Sequence, residues 1–230
     1  MINQFAEPPG TPILCGVVGS TAQGLATDCS DEDRAGVFMV PPRELLGLGG
    51  RDADSFATTN PDSTWHPLRK FLILALQCNP GALELLWING FTLIAPAGAA
   101  VLDLRSAVLS TDAARGAYLG YAEAQLARYR KMRTARPDKA QKPLRHAFRL
   151  LDQGGRLLAT GRVEVQVEDR AWFLDVLPLM SVEQAEREAA ARLARLANAP
   201  STLPDIPDRE RVNDTLIRLR AAHIAAGLRA

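Results

Sequence analysis

A chain of 230 residues with 47% apolar residues and a formal net charge of +1 holds enough apolar material for one large packed domain or two small ones. Its three cysteines, Cys15, Cys29 and Cys78, are odd in number and lack CxxC spacing, which argues against a disulfide framework and a zinc site and points to a reducing cytoplasm. Met1 to Gly10 is polar and unlike a signal peptide, and the membrane-length apolar stretch from Gly81 to Leu102 is interrupted by Glu84, Asn89, Gly90 and Pro96, so no membrane partner is expected.

Thr11 to Val18 is short, apolar and ends in Gly19-Ser20, as a buried strand running into a turn does. Ala35 to Val40 predicts a second strand, stopped by Pro41-Pro42, and Gly47 to Asn60 has loop composition. Asp62 to Trp65 fits a short third strand. The period then changes: Leu68, Phe71, Leu72, Ala75 and Leu76 recur at helical spacing, and Asn79-Pro80 breaks the chain before a second helix over Ala82 to Trp87. Beyond Thr111 the pattern is helical, over Ala114 to Met132, Lys139 to Thr160, Ser181 to Ala197 and Arg209 to Leu228. Ser181 and Gln184 form a capping-box signature, Glu188 and Arg192 an i,i+4 pair, and the three prolines between Asn198 and Pro207 mark a linker. The expected class is α+β, with a strand-rich segment over residues 1–110 and a helical one over 111–230.

Two features of this layout carry chemistry. Gly19-Ser20 is followed, after ten intervening residues, by Asp31-Glu32-Asp33 at the head of the second strand. In a strand, alternate residues share a face, so Asp31 and Asp33 can present their carboxylates together. Two like charges held close are costly without a cation between them, and oxygen-only ligands favour a hard ion such as Mg²⁺. A glycine lets backbone N–H groups approach a phosphate, and Ser20 adds a hydroxyl. An acidic turn or helix cap would account for Asp31 and Asp33 alone, but not for the buried strand and turn upstream or the apolar strand downstream.

The second feature is charge placement. Between Arg128 and Arg149 stand nine Lys or Arg against one acid, Asp138, so this segment carries about +8 and the rest about −7. On a helix, Lys142, His146 and Arg149 share one face while Leu144, Phe148 and Leu151 lie opposite. Arg suits bidentate phosphate contacts and Lys acts as a point charge. Arg69 and Lys70 fit solvated helix ends better. Glu84, a lone acid among large apolar residues, requires a partner, and a structural salt bridge is at least as natural as a catalytic role. His66, His146 and His223 show no metal-ligand spacing. With aromatics at 6% and no RNP-like motif or GxxG clamp, base-stacking recognition has little support.

The ordered set Gly19-Ser20-x-x-x-Gly24-Leu25-Ala26-Thr27-x-x-Ser30-Asp31-x-Asp33-x-x-Gly36-Val37-Phe38 resembles the DNA polymerase β-like nucleotidyltransferase superfamily. Leu68-Arg69-Lys70-Phe71, Asn79-Pro80-x-x-Leu83-Glu84-Leu85-Leu86 and Arg145-His146-Ala147-x-Arg149-Leu150-Leu151 extend the likeness to a subfamily linked to RNA-ligase repair genes, over roughly residues 12–177. Glu32 and Arg34 stand where the superfamily often has apolar residues, and Pro67 interrupts the region after the third carboxylate.

The resemblance implies a polymerase β-like mixed sheet followed by a helical region, and a third carboxylate on a later strand. Asp62 is the candidate, with Asp52 and Asp54 as rivals. It further implies a two-metal Mg²⁺ site (Mn²⁺ as alternative) at Asp31, Asp33 and Asp62, and an NTP whose phosphates meet Gly19, Ser20, Lys142, His146 and Arg149. The expected reaction transfers NMP from an NTP to a hydroxyl and releases pyrophosphate. The acceptor is an RNA or tRNA 3′ end, a protein side chain as in toxin–antitoxin or defence enzymes, or a small molecule. The alternative is a catalytically silent nucleotide- or RNA-binding module on the same fold.

Overall fold

A computed structural model describes residues 8–28, 30–48, 54–59 and 62–228. Five strands, β1 (Thr11–Val18), β2 (Asp33–Met39), β3 (Phe56–Thr59), β4 (Asp62–Pro67) and β5 (Phe91–Ile94), form one mixed sheet in the order β3-β4-β2-β1-β5. β1 runs antiparallel to β2 and β5, β4 runs antiparallel to β3, and β2 and β4 are parallel. A parallel pair needs a crossover, and the chain between β2 and β4 supplies it with a short helix, α2 (Pro42–Leu46), and with β3.

The central strands read as continuous apolar runs because both sheet faces are covered. Leu14, Val37 and Met39 pack into the largest core cluster on one face, while Cys15, Phe38, Val40 and Trp65 form a smaller cluster on the other. The Trp65 ring packs against Gly36, where a Cβ would sit 2.3 Å from it. The large cluster is filled out by α3 (Leu68–Leu76), α4 (Pro80–Trp87) and α5 (Pro96–Leu102), through Phe71, Leu83, Leu86 and Val101. Asn79 caps α4 by accepting from the amides of Gly81 (3.0 Å) and Ala82 (3.1 Å), and Pro80 occupies the first helical position, where a missing N–H is harmless.

Two long antiparallel helices, α6 (Thr111–Ala135) and α7 (Pro137–Thr160), follow. They approach closely at Gly154, where a side chain would meet Tyr118 at 2.8 Å. Gly161, at φ +70°, ends α7 in the left-handed C-terminal conformation. Residues 162–171 then fold back toward the sheet, with the Val167 amide donating to the Gln23 carbonyl (3.0 Å) and Arg170 to the carbonyls of Gly24 (2.9 Å) and Ala26 (3.1 Å). A π turn at Trp172–Val176 leads into α8 (Val182–Ala197) and finally α9 (Arg209–Gly227). The capping box at Ser181 and Gln184 forms, as does the Glu188–Arg192 pair at 2.7 Å.

The architecture is α+β, a sheet followed by helices. The largest core cluster runs through both parts, joining Leu14 and Leu83 to Tyr118, Leu150 and Leu219. Several elements go beyond the sequence reading: β3 lies inside the stretch read as loop, and β5 and α5 lie inside the apolar Gly81–Leu102 stretch. The proline-rich Asn198–Pro207 segment is irregular but held down. The Thr202 amide reaches the Leu158 carbonyl, Thr111 reaches Pro204, and Leu203 is buried. No helix among the described residues is long and apolar enough to cross a membrane. Cys15 and Cys78 are buried free thiols, and Cys29 lies outside the described residues.

Candidate nucleotide site

The site is built where β1 ends. The chain leaves Val18 and turns at Gly19, whose φ of +67° is costly for any residue with a side chain. The α1 turn (Gly19–Ala22) then begins. Val18 pairs with Asp33 across β1 and β2, which brings the Asp33 carboxylate onto the turn. A Cβ on Gly19 would stand 2.3 Å from Asp33 Oδ2. Glycine is therefore required twice, by the backbone and by the carboxylate.

The parallel register aligns Arg34 with Ser63. Asp33 and Asp62 are one position earlier on each strand, so they stand side by side at the same end of β2 and β4. Asp31 lies two residues before β2, exposed, and not within a strand as the alternation argument supposes. Glu32 and Arg34 pair with each other at 2.8 Å, which accounts for two charged residues at positions where the superfamily often has apolar ones. Pro67 falls at the last position of β4. Asp54 is exposed ahead of β3, and Asp52 lies outside the described residues.

Asp33 senses this crowd. Its pKa is raised from the ordinary carboxylate value, by burial first and then by the charge of Asp62; Asp31 and Glu84 add smaller increments, while Lys142 opposes them. A set of oxygen donors that is partly buried and mutually repelling has the chemistry a hard divalent cation satisfies. Among the described residues, however, no three His, Cys, Asp or Glu side chains gather closely enough to hold one ion. The donor type fits the metal; the three carboxylates do not converge on one point.

Helix α7 forms the facing wall. Lys142 is exposed and near enough to Asp33 to act on it electrostatically. His146, though solvent-exposed as a residue, has its pKa pushed down to about 4, by burial first and then by Arg149, Lys142 and Arg128. It is therefore a neutral imidazole at pH 7, and its Nε2 accepts from Arg149 Nη2 at 3.1 Å. Arg149 departs from the exposed basic stripe expected of the sequence, being only 5% exposed. Its Nη1 faces Glu84 Oε2 at 3.4 Å and donates to Gln153 Oε1 at 3.3 Å. The i, i+4, i+7 spacing places these three residues on one side of the helix, but Arg149 lies a turn deeper, where the helix meets α4.

Glu84 thus has the salt bridge that its setting required. Its carboxylate also accepts the Gly19 amide at 2.8 Å and the Gln23 side-chain amide at 3.2 and 3.0 Å. Sequence reasoning missed Gln23 and Gln153. Nothing in the sequence marks Gln23, whereas the i,i+4 spacing of Arg149 and Gln153 is visible once Arg149 is known to be buried. Of the remaining histidines, His66 bonds Ser55 Oγ at 2.7 Å and His223 donates to the Val40 carbonyl at 3.1 Å. Both serve packing between elements.

The arrangement therefore places three carboxylates and a serine-bearing turn on one wall and a basic helix on the other. None of the curated proteins matches the chain. A family model does, over residues 5–216: the chain belongs to the RNA repair pathway DNA polymerase beta family.

Proposed function

We propose that the protein is a divalent-metal-dependent nucleotidyltransferase acting in RNA repair, which moves NMP from an NTP to a hydroxyl, with an RNA 3′ end as acceptor. The observation that carries this reading is the side-by-side placement of Asp33 and Asp62 at the ends of β2 and β4, against the Gly19-Ser20 turn. Membership of a polymerase beta-like family linked to RNA repair supports it, since such enzymes generally use divalent metals.

Asp31, Asp33 and Asp62 would hold Mg²⁺ or Mn²⁺. When bound, the ion screens the carboxylates and polarises phosphate oxygens. The chain's own groups do the rest. Ser20 offers its hydroxyl to the phosphates, and Gly19 contributes by its missing side chain, because its amide is already bonded to Glu84. Lys142 offsets phosphate charge from the helical wall. Neutral His146 contributes a hydrogen bond rather than a charge, and Arg149 acts from behind it. The acceptor oxygen forms a bond to the α-phosphorus as the bond from that phosphorus to the bridging oxygen breaks. Pyrophosphate leaves, and the hydroxyl proton passes to the exposed Asp62 carboxylate. Holding the reactants in line is the main contribution expected of such a site.

The spread of the three carboxylates favours a second reading, a nucleotide- or RNA-binding module without transfer. Incubation with each labelled NTP, Mg²⁺ or Mn²⁺, and either RNA or lysate protein separates the two. Label moving to RNA, and lost in Asp31→Ala and Asp33→Ala, supports the enzyme; label on protein changes the acceptor. Nucleotide binding without transfer under either metal establishes the module. The reducing compartment expected from the number and spacing of the cysteines is tested by locating the tagged protein in cells.

A further inference from the structure

The buried ion pair behind the turn joins the two walls of the site. Glu84 sits between Leu83 and Leu85 in an otherwise apolar helix and is 5% exposed. A carboxylate in that position is strongly disfavoured unless its charge is paired and its lone pairs are filled. Both conditions are met, and the groups meeting them are specific. One is the amide of Gly19, the residue on which the Asp33 carboxylate rests. A second is the side chain of Gln23, where the α1 turn ends. The third is Arg149, which also donates to His146 on the facing helix.

We propose that Glu84 is the positioning residue of the site: one buried carboxylate fixes the Gly19-Ser20 turn against Asp33 and, through Arg149, fixes His146 on the opposite wall. This deepens the nucleotide-site reading and rests on it. A leucine would fill the same space among Leu83, Leu85 and Leu86, and apolar replacements of buried ion pairs are often neutral or stabilising. Stability alone therefore does not account for the charge. Its bonds run to the turn and to the helical wall, where the two sides must keep one spacing for a triphosphate.

The test compares wild type, Glu84→Leu, the double variant Glu84→Leu/Arg149→Met, and Gln23→Ala. Three quantities are read: thermal midpoint, exchange protection of the Gly19 amide by NMR, and NTP affinity with Mn²⁺. The single variant strands a buried guanidinium and is expected to melt early. The double variant removes both charges and regains the wild-type midpoint, yet loses Gly19 protection; because Arg149 is itself placed against the phosphates, affinity is read in Gln23→Ala. A structural pair alone predicts instead that the double variant keeps Gly19 protected along with its midpoint, and that result overturns the proposal. Should the double variant fail to fold, Gln23→Ala decides. It removes hydrogen bonds at a partly exposed position and is expected to lower Gly19 protection and NTP affinity by about threefold to tenfold with little change in melting; unchanged protection and affinity overturn the proposal. If wild type binds no NTP, the nucleotide reading fails, and Gly19 protection alone reports whether Glu84 holds the turn.

Discussion

The two sides of the Gly19-Ser20 turn are built on opposite electrostatic terms. On the inner side every charge has a partner: Glu84 meets Arg149, the Gly19 amide and Gln23, and Arg149 meets Gln153 and His146. On the outer side Asp33 stands among Asp62, Asp31 and Glu84, with exposed Lys142 as the cation acting against them. The inner side is satisfied by the chain alone. The outer side is left with repulsion that an external cation would relieve. The difference separates charges that the chain itself satisfies from charges that it leaves crowded, although both meet at one turn.

Substitutions on the two sides should therefore act in opposite directions on stability. The largest effect belongs to the inner side: Glu84→Ala leaves a buried guanidinium unpaired and should cost about 3–5 kcal/mol in chemical denaturation. Next comes Gly19→Ala, which meets both the positive φ and the Asp33 carboxylate; a loss of about 1–3 kcal/mol is expected, together with lost nucleotide affinity. A Gly19→Ala protein as stable as wild type would show that the turn relaxes without consequence.

Asp33→Asn should do the reverse, raising the metal-free thermal midpoint near pH 7 while lowering metal-dependent binding. The sign follows from proton uptake. Because the folded-state pKa of Asp33 is raised, the native state binds more protons than the unfolded state above the ordinary value of 3.8. Its contribution to stability is present at lower pH and is lost as pH rises through the folded pKa. Calorimetry of wild type and variant across that range checks it, and a midpoint that falls in Asp33→Asn breaks the comparison.

The smallest effect is that of His146, whose exposure to solvent damps what its shift would otherwise contribute. With its folded pKa near 4, below the usual 6.5, the native state binds fewer protons than the unfolded state between those values. Stability from this residue is present above about pH 6.5 and lost as pH falls toward 4. Proton NMR of the imidazole should show a midpoint well below 6.5, and a normal midpoint would mean that neither burial nor Arg149 presses on it.

How legible all this was in the sequence depends on what kind of signal each element leaves. β1 and the α3–α4 pair were readable because long apolar runs and an Asn-Pro cap are local features. β5 was not, since four residues without alternation inside a longer apolar stretch look like core of any kind. β3 was hidden in a polar loop, because an edge strand needs no apolar pattern. In the site, a motif resemblance pointed to Asp31, Asp33 and Asp62, and the register then set Asp33 beside Asp62. The depth of Arg149 was beyond reach: helical spacing gives a face, but which part of that face touches α4 is a tertiary fact. Gln23 bonds a residue 61 positions away, and no local pattern announces such a contact.

We propose that the outer carboxylates are reserved for a metal and a nucleotide. Transfer of labelled NMP to an RNA hydroxyl, compared between wild type and Asp33→Asn at a temperature where both are folded, tests it most directly. Wild type should transfer the label in a metal-dependent manner, and the Asp33→Asn variant should not. Transfer retained by Asp33→Asn would contradict it.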